Sequence, residues 1–156
     1  MLLSNQGCGV TKVAIDFAKS FYALGLCKTK VVATIKAKTL NKTDLAPSLP
    51  KLEGGCLIVE RAGEITSEKA NELHRIMEDE EKDIVVMFVG ETMKLTQMFV
   101  NNSAMVPYFH HLIQMNNLTD DDLYNVAIAY MEQLNYKASE GGANRLKSRI
   151  RTMEHN

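Results

Sequence analysis

Two uninterrupted apolar runs constrain the fold of this chain more than any other feature of its sequence. Residues 56–59 (CLIV) follow a pair of glycines, and residues 83–90 read DIVVMFVG. A strand with one face in water alternates apolar and polar residues, whereas a strand covered on both faces is apolar throughout. The two runs therefore predict interior strands of a parallel sheet that is covered by helices on both faces.

Helical and strand-like segments alternate along the first three quarters of the chain. Strands are expected at residues 1–4, 30–37, 56–59, 83–90 and 111–115. Helices are expected at residues 10–24, 66–80 and 92–100. Two more are expected, one from Thr119 onward, where Asp122 completes a capping-box pattern, and one after Gly141-Gly142. Residues 39–53 contain Pro47 and Pro50 and are expected to be a loop. This order predicts an α/β fold, a three-layer αβα sandwich with a parallel sheet of about five strands, followed by a purely helical segment.

Composition excludes several classes of protein. The 156 residues include 18 Lys and Arg against 19 Asp and Glu, a net charge of −1, so the basic excess typical of nucleic-acid or membrane-surface binding is missing. No apolar run approaches the ~20 residues of a membrane-spanning helix. The three cysteines form no C-x-x-C motif, and His110-His111 has no further ligand at metal-site spacing. We therefore expect no nucleic-acid or membrane partner, no metal site and a cytoplasmic location.

The turn after the first strand lies where a phosphate-binding loop would lie. Ligands of open α/β sheets bind beyond the carboxyl ends of the strands. The P-loop pattern G-x-x-x-x-G-K-[ST] requires glycines, a lysine for the phosphates and a hydroxyl for Mg²⁺. Residues 4–11 (SNQGCGVT) keep Gly7, Gly9 and Thr11 in this pattern, but Val10 takes the place of the lysine. Taken alone, such a segment is more often an ordinary turn before a helix.

The motifs and their order resemble one group of AAA+ ATPases. Residues 5–11 resemble the G-N-P-G-T-G-K-T motif of that group, residues 54–62 (GGCLIVERA) resemble its GGVLFIDEA, and residues 77–90 resemble its LMED…DLVVIVAG. The group is that of stage V sporulation protein K and CbxX, which is Rubisco activase-like. The resemblance implies an AAA+/P-loop core over residues 1–117 and a partial helical lid over residues 118–156.

The resemblance also implies a nucleotide site whose charged residues have changed. Glu60 stands at the Mg²⁺-organising aspartate, Arg61 at the water-activating glutamate, and Tyr108 at the arginine that reaches into a neighbouring subunit. Arg145 matches the arginine of the lid motif G-N-A-R. The vestigial nucleotide-binding residues implied are Gly7, Gly9, Val10, Thr11, Glu60, Arg61 and Arg145. Phosphoryl transfer depends on positioning and on charge stabilisation, so these changes predict that no catalytic residue remains.

The resulting expectation is a catalytically inactive AAA+-like domain, a pseudo-ATPase that is not an enzyme and uses no cofactor. It would act as a protein-interaction or assembly module with protein partners, possibly other AAA+ modules, and as part of a longer chain. The alternative is a residual nucleotide-binding domain or weak ATPase that uses ATP or ADP with Mg²⁺, in which Arg61 supplies the cation that Val10 lacks. In a third interpretation, Arg61 substitutes for the missing ligand and holds the empty loop closed.

Overall fold

Five parallel strands form one sheet in the order β2-β3-β4-β1-β5. The computed structural model describes residues 2–3, 9–79, 81–115 and 118–153. The strands are β1 (Leu2–Leu3), β2 (Val32–Lys36), β3 (Cys56–Glu60), β4 (Val85–Gly90) and β5 (Ile113–Gln114). The predicted α/β class and five-stranded parallel sheet are confirmed, although β1 and β5 contain only two residues each.

Helices alternate with the strands along the chain, and two more helices come after the last strand. They are α1 (Val10–Ala23), α2 (Ala37–Leu40), α3 (Leu49–Leu52), α4 (Ser67–Glu78), α5 (Thr92–Asn101), α6 (Asp120–Gln133) and α7 (Glu140–Met153). Short 3₁₀ turns occupy Ala62–Glu64 and Ser103–Tyr108. Among the described residues, no helix combines the length and the apolar character that crossing a membrane requires.

Two helical boundaries differ from the sequence prediction. The expected loop at residues 39–53 contains the end of α2 and the whole of α3. Pro50 is compatible with α3 because it lies in the first turn, where a missing N–H breaks no helical hydrogen bond. Helix α7 begins before the glycine pair, and the Ser139 hydroxyl accepts a hydrogen bond from the Gly142 N–H at 3.2 Å. The glycines therefore lie in the first turn of α7.

The apolar core lies on both faces of the sheet. On one face, Val10 and Ala14 of α1 pack with Ile58 of β3. On the other face, Leu57 of β3 packs in a cluster that also contains Leu73 of α4. Successive side chains of β3 thus enter opposite layers, and all four of its apolar residues are buried. This arrangement is the three-layer sandwich that the continuous apolar runs predicted.

A buried lysine holds the segment between α2 and α3 against α4. Lys69 Nζ donates hydrogen bonds to the Thr43 carbonyl oxygen at 2.7 Å and to Glu72 Oε2 at 2.5 Å. Glu72 Oε1 also accepts a hydrogen bond from the Leu45 N–H at 3.4 Å. One ion pair therefore supports an irregular segment that contributes Leu45 to the core.

The chain divides into two compact units, Met1–Asn116 and Asn117–Asn156. The second unit contains α6 and α7. Helix α6 begins with the expected capping box: the Thr119 hydroxyl accepts the Asp122 N–H at 3.2 Å, and Asp122 Oδ2 accepts the Thr119 N–H at 2.9 Å. The hydrogen bonds from Thr119 hold the pKa of the Asp122 carboxyl below its usual range.

Candidate functional site

A hydroxyl and a carboxylate meet at the carboxyl edge of the sheet. Glu60 is the last residue of β3, and Thr11 is the second residue of α1. Thr11 Oγ1 donates a hydrogen bond to Glu60 Oε1 at 2.7 Å, although the two residues are 49 positions apart in the chain. Both predicted site residues therefore lie together where open α/β sheets bind their ligands.

The start of α1 suits a bound anion. Gly9 precedes the helix in the left-handed conformation, with φ 65° and ψ 16°, which glycine adopts without strain. A Cβ at this position would meet nothing within 4 Å, so backbone conformation rather than space requires the glycine. Within the described residues, the first turn of α1 contains no acidic side chain that would repel a phosphate. The N-terminus of a helix attracts negative charge through its N–H groups and its dipole.

Val10 contributes packing and no charge to this site. Its side chain is 6% exposed and lies in the apolar cluster between α1 and the sheet, with Ile58 and Met87. The position at which the resemblance implies a lysine is thus a core position in this chain. Any cation for the phosphates would have to come from another residue.

Arg61 follows Glu60 in an uncommon backbone conformation. Its φ of 51° and ψ of 41° lie in the left-handed region, which costs a non-glycine residue roughly 1–2 kcal/mol. Its side chain is 59% exposed, and Nη1 lies 3.9 Å from Glu64 Oε1. Exposed ion pairs at this distance are weak, so the guanidinium can move to another anion at little cost.

Glu64 is a neighbour of the site that the sequence interpretation missed. Its two carboxylate oxygens lie 3.9 Å from the Arg61 guanidinium and 4.0 Å from Lys38 Nζ. The signal was present as an arginine followed three residues later by a glutamate, a spacing that brings side chains together within one helical turn. Here that turn is the 3₁₀ turn Ala62–Glu64.

The remaining predicted residues do not join this cluster in the described structure. Gly7 lies outside the described residues. Arg145 lies on the exposed surface of α7, in the second unit, and its part in nucleotide binding stays a prediction. Tyr108 places its ring edge-on against His74, with centroids 5.2 Å apart. Tyr108 therefore supplies an aromatic contact where the resemblance implies an arginine.

The residues present fit Mg²⁺ in part. Magnesium prefers oxygen ligands and keeps several waters or phosphate oxygens, so one hydroxyl and one carboxylate are a sufficient protein contribution. The described residues contain no group of three or more His, Cys, Asp and Glu side chains placed to hold a metal without such additional ligands. Thr11 and Glu60 would be the protein ligands, and nucleotide phosphates or water would supply the rest.

Sequence comparison finds weak homology to CfxQ and CbbX proteins. No protein-family model matches the chain. It is 23% identical over 154 residues to a CfxQ homolog of Galdieria sulphuraria, covering 88% of this chain and 50% of that protein. It is 22% identical over 162 residues to CbbX of Cereibacter sphaeroides, covering 94% of this chain and 52% of that protein. The chain thus spans about half the length of the curated relatives it matches.

Structural comparison decides the type of fold. A variant of RuvB from Thermotoga maritima superposes with a TM-score of 0.71 at 15% identity, covering 91% of this chain and 45% of that one. The P-loop NTPase domain of a sigma-54 transport activator from E. coli superposes with a TM-score of 0.54 at 16% identity, covering 76% and 82%. The fold is of the AAA+/P-loop type.

These similarities correct two expectations from the sequence. The loss of the lysine and the change at Arg61 suggested that the chain is not an enzyme and uses no cofactor. The chain is instead similar to CfxQ and CbbX proteins, and it has the fold of a domain that is described as a P-loop NTPase. Both expectations are therefore wrong, because they extrapolated from single substitutions to the loss of a whole binding site.

Proposed function

We propose that this chain is a nucleotide-binding module of the AAA+ type that binds ATP or ADP with Mg²⁺ and has weak ATPase activity. The observation that carries the proposal is the 2.7 Å hydrogen bond between Thr11 Oγ1 and Glu60 Oε1. It joins the two side chains whose oxygens suit Mg²⁺, directly beside the N-terminus of α1. The bound ion would neutralise charge on the phosphates.

Three features support weak rather than rapid hydrolysis. Val10 leaves the phosphates without a lysine, and charge-assisted hydrogen bonds of that kind are worth about 1.5–3 kcal/mol each. Glu60 extends its carboxylate one methylene further than an aspartate would. Arg61, at the position of the water-activating glutamate, is a cation and cannot act as a general base. Arg61 is half-exposed and weakly paired, so it is the residue that we infer compensates for Val10.

Nucleotide titration of the full chain tests this proposal. Isothermal titration calorimetry with ADP should give saturable heat in the presence of Mg²⁺. Glu60→Gln should weaken the affinity for Mg-ADP by about 10- to 100-fold, since it removes one charge-assisted contact of about 1.5–3 kcal/mol. Without Mg²⁺ the substitution should not weaken ADP binding, because the favourable contact of Glu60 with the nucleotide acts through the ion.

Matched substitutions on exposed helical turns serve as controls. Glu68→Gln lies in the first turn of α4, and its affinity for Mg-ADP should stay within twofold. Thr11→Ala should reproduce the effect of Glu60→Gln, whereas Thr96→Ala, at an exposed position of α5, should not. The proposal would be overturned if neither ATP nor ADP gave a heat of binding at millimolar concentration. An equal effect of Glu60→Gln with and without Mg²⁺ would show that the carboxylate does not hold the ion.

Protein partners remain part of the proposal. The resemblance to an AAA+ group implies assembly with protein partners, possibly other AAA+ modules. Exposed apolar side chains on α5, Met93 at 85% and Val100 at 69%, support a contact surface in the first unit.

A further inference from the structure

Lys36 is a cation that lies beside the proposed nucleotide site. It is the last residue of β2, and its Cα pairs in register with that of Glu60, the last residue of β3. Neighbouring strands of a sheet lie about 4.8 Å apart, so the two residues are immediate neighbours at the carboxyl edge. Lys36 lies outside the three motifs that carry the AAA+ resemblance, so only the pairing of β2 with β3 brings it to this edge.

Lys36 and Glu60 extend from the same face of the sheet. Glu60 faces α1, because its carboxylate contacts Thr11. On β2, Val32 packs against the cluster on the α1 face, whereas Ile35 packs against the cluster on the opposite face. Successive side chains of a strand alternate between faces, and Lys36 keeps an extended backbone, with φ −80° and ψ 141°. Its side chain therefore leaves the sheet on the α1 face, next to that of Glu60.

The Lys36 ammonium group is available to an anion. Its residue is exposed, and within the described part of the chain its side chain forms no ion pair and no hydrogen bond. Two other lysines that follow strand ends are already paired: Lys38 lies 4.0 Å from Glu64, and Lys94 lies 3.0 Å from Glu91. A lysine carries its charge on a flexible four-carbon stem, so the ammonium of Lys36 can reach across the neighbouring strand end.

We propose that Lys36 is a phosphate-binding residue of the nucleotide site and that, together with Arg61, it supplies the positive charge that Val10 does not. This inference rests on the proposed function and adds a residue to it. Val10 is buried in the core, so the charge has to come from outside α1. Lys36 lies beside Glu60, which would hold Mg²⁺, and an ammonium next to that ion can donate a charge-assisted hydrogen bond to a phosphate oxygen.

A simpler role for Lys36 would be to neutralise Glu60. Glu60 Oε1 instead accepts its hydrogen bond from Thr11 at 2.7 Å. In the described structure no ion pair joins Lys36 to Glu60, although the two residues are adjacent in register. Exposed ion pairs between single side chains gain little, whereas a phosphate group offers several negative oxygens to the same cation. A nucleotide phosphate is therefore the partner that fits Lys36 better.

Isothermal titration calorimetry of the full chain with ADP tests this role. Lys36→Gln should weaken the affinity for Mg-ADP at least tenfold, and Lys36→Arg, which keeps the charge, should stay within threefold. Lys30→Gln is the matched control and should stay within twofold. Lys30 precedes β2 at the opposite end of the strand, where its Nζ lies 5.2 Å from the centroid of the Tyr22 ring. Lys36 and Lys30 are both exposed, so the variants should fold, which circular dichroism verifies.

The dependence on Mg²⁺ separates a direct phosphate contact from an effect through Glu60. Without Mg²⁺, Lys36→Gln should still weaken ADP binding at least tenfold, whereas Glu60→Gln should not weaken it. A loss that Lys36→Gln shows only with Mg²⁺ would overturn the proposal, because Lys36 would then act by orienting the Glu60 carboxylate. If the unchanged chain binds Mg-ADP and Lys36→Gln binds it equally well, this inference alone is wrong. An unchanged chain that binds no nucleotide would contradict the proposed function itself.

Chemical labelling gives a second measurement that needs no substitution. An N-hydroxysuccinimide ester of acetic acid acetylates exposed lysines, and mass spectrometry of the digested chain measures the rate at each one. Saturating Mg-ADP should slow the acetylation of Lys36 at least threefold and leave that of Lys30 unchanged. Equal rates at Lys36 with and without Mg-ADP would overturn the proposal, because a bound phosphate would cover the ammonium group.

Discussion

Replacement of Lys69 by methionine should destabilise the first unit by about 2 kcal/mol. The Lys69 side chain is only 10% exposed and makes two hydrogen bonds, to the Thr43 carbonyl and to Glu72. Hydrogen bonds that involve a charged group contribute about 1.5–3 kcal/mol each. Two effects reduce the sum: Glu72 is 35% exposed and recovers hydration, and the lysine no longer has to be desolvated. Methionine fills a similar volume, so little cavity energy is added.

Urea denaturation followed by circular dichroism and tyrosine fluorescence measures this loss. For a slope of about 2 kcal/mol per molar urea, the midpoint of Lys69→Met should fall by roughly 1 M. The melting temperature should fall by roughly 4–8 °C. Lys12→Met is the matched control, since Lys12 is 73% exposed on α1 and its midpoint should not change. A Lys69→Met midpoint equal to that of the control would refute the claim that this ion pair supports the segment between α2 and α3.

Two further predictions concern the packing of the first unit. Gly63→Ala should lower the free energy of unfolding by about 1–3 kcal/mol in urea denaturation, because a Cβ at Gly63 would lie 2.5 Å from Lys94 Cβ and 2.6 Å from the Lys94 backbone carbonyl carbon. Gly141→Ala is the control, because a Cβ there would meet nothing within 4 Å, and it should not lower the urea midpoint. Equal midpoints for the two variants would contradict the close approach at Gly63. Burial, and to a smaller extent Cys27, raises the pKa of the Cys56 thiol from 9.0 to about 12, so the folded state retains a proton that the unfolded state loses above pH 9. The free energy of unfolding should therefore fall as the pH rises from 9 toward 12. Urea midpoints measured at pH 8, 9 and 10 should fall less in Cys56→Ala than in the unchanged chain, and an identical pH dependence of the two midpoints would refute the linkage.

The central strands and the long helices could be predicted because their residues encode burial locally. Residues 56–59 are apolar throughout, and the structure buries all of them between two layers. The spacing of apolar residues in 10–24 predicts α1, which spans Val10–Ala23. Such patterns depend on the period of the backbone alone, so no knowledge of the neighbours is needed.

The short elements could not be delimited in this way. β5 has two residues where five were expected, and α3 forms inside a segment that its prolines marked as a loop. Elements of two to four residues have too few local interactions to form alone, so contacts from other parts of the chain decide where they begin and end.

The sequence by itself determined the order of the strands and the long helices, the class of fold and the residue types at the edge of the sheet. Only the tertiary structure decided what those residues do: Thr11 contacts Glu60 across 49 positions, and Val10 points into the core instead of toward a phosphate. The same holds for the buried contacts of Lys69. The physical reason is that crossover connections bring distant strand ends to one edge of a parallel sheet, and no local pattern records which side chains meet there.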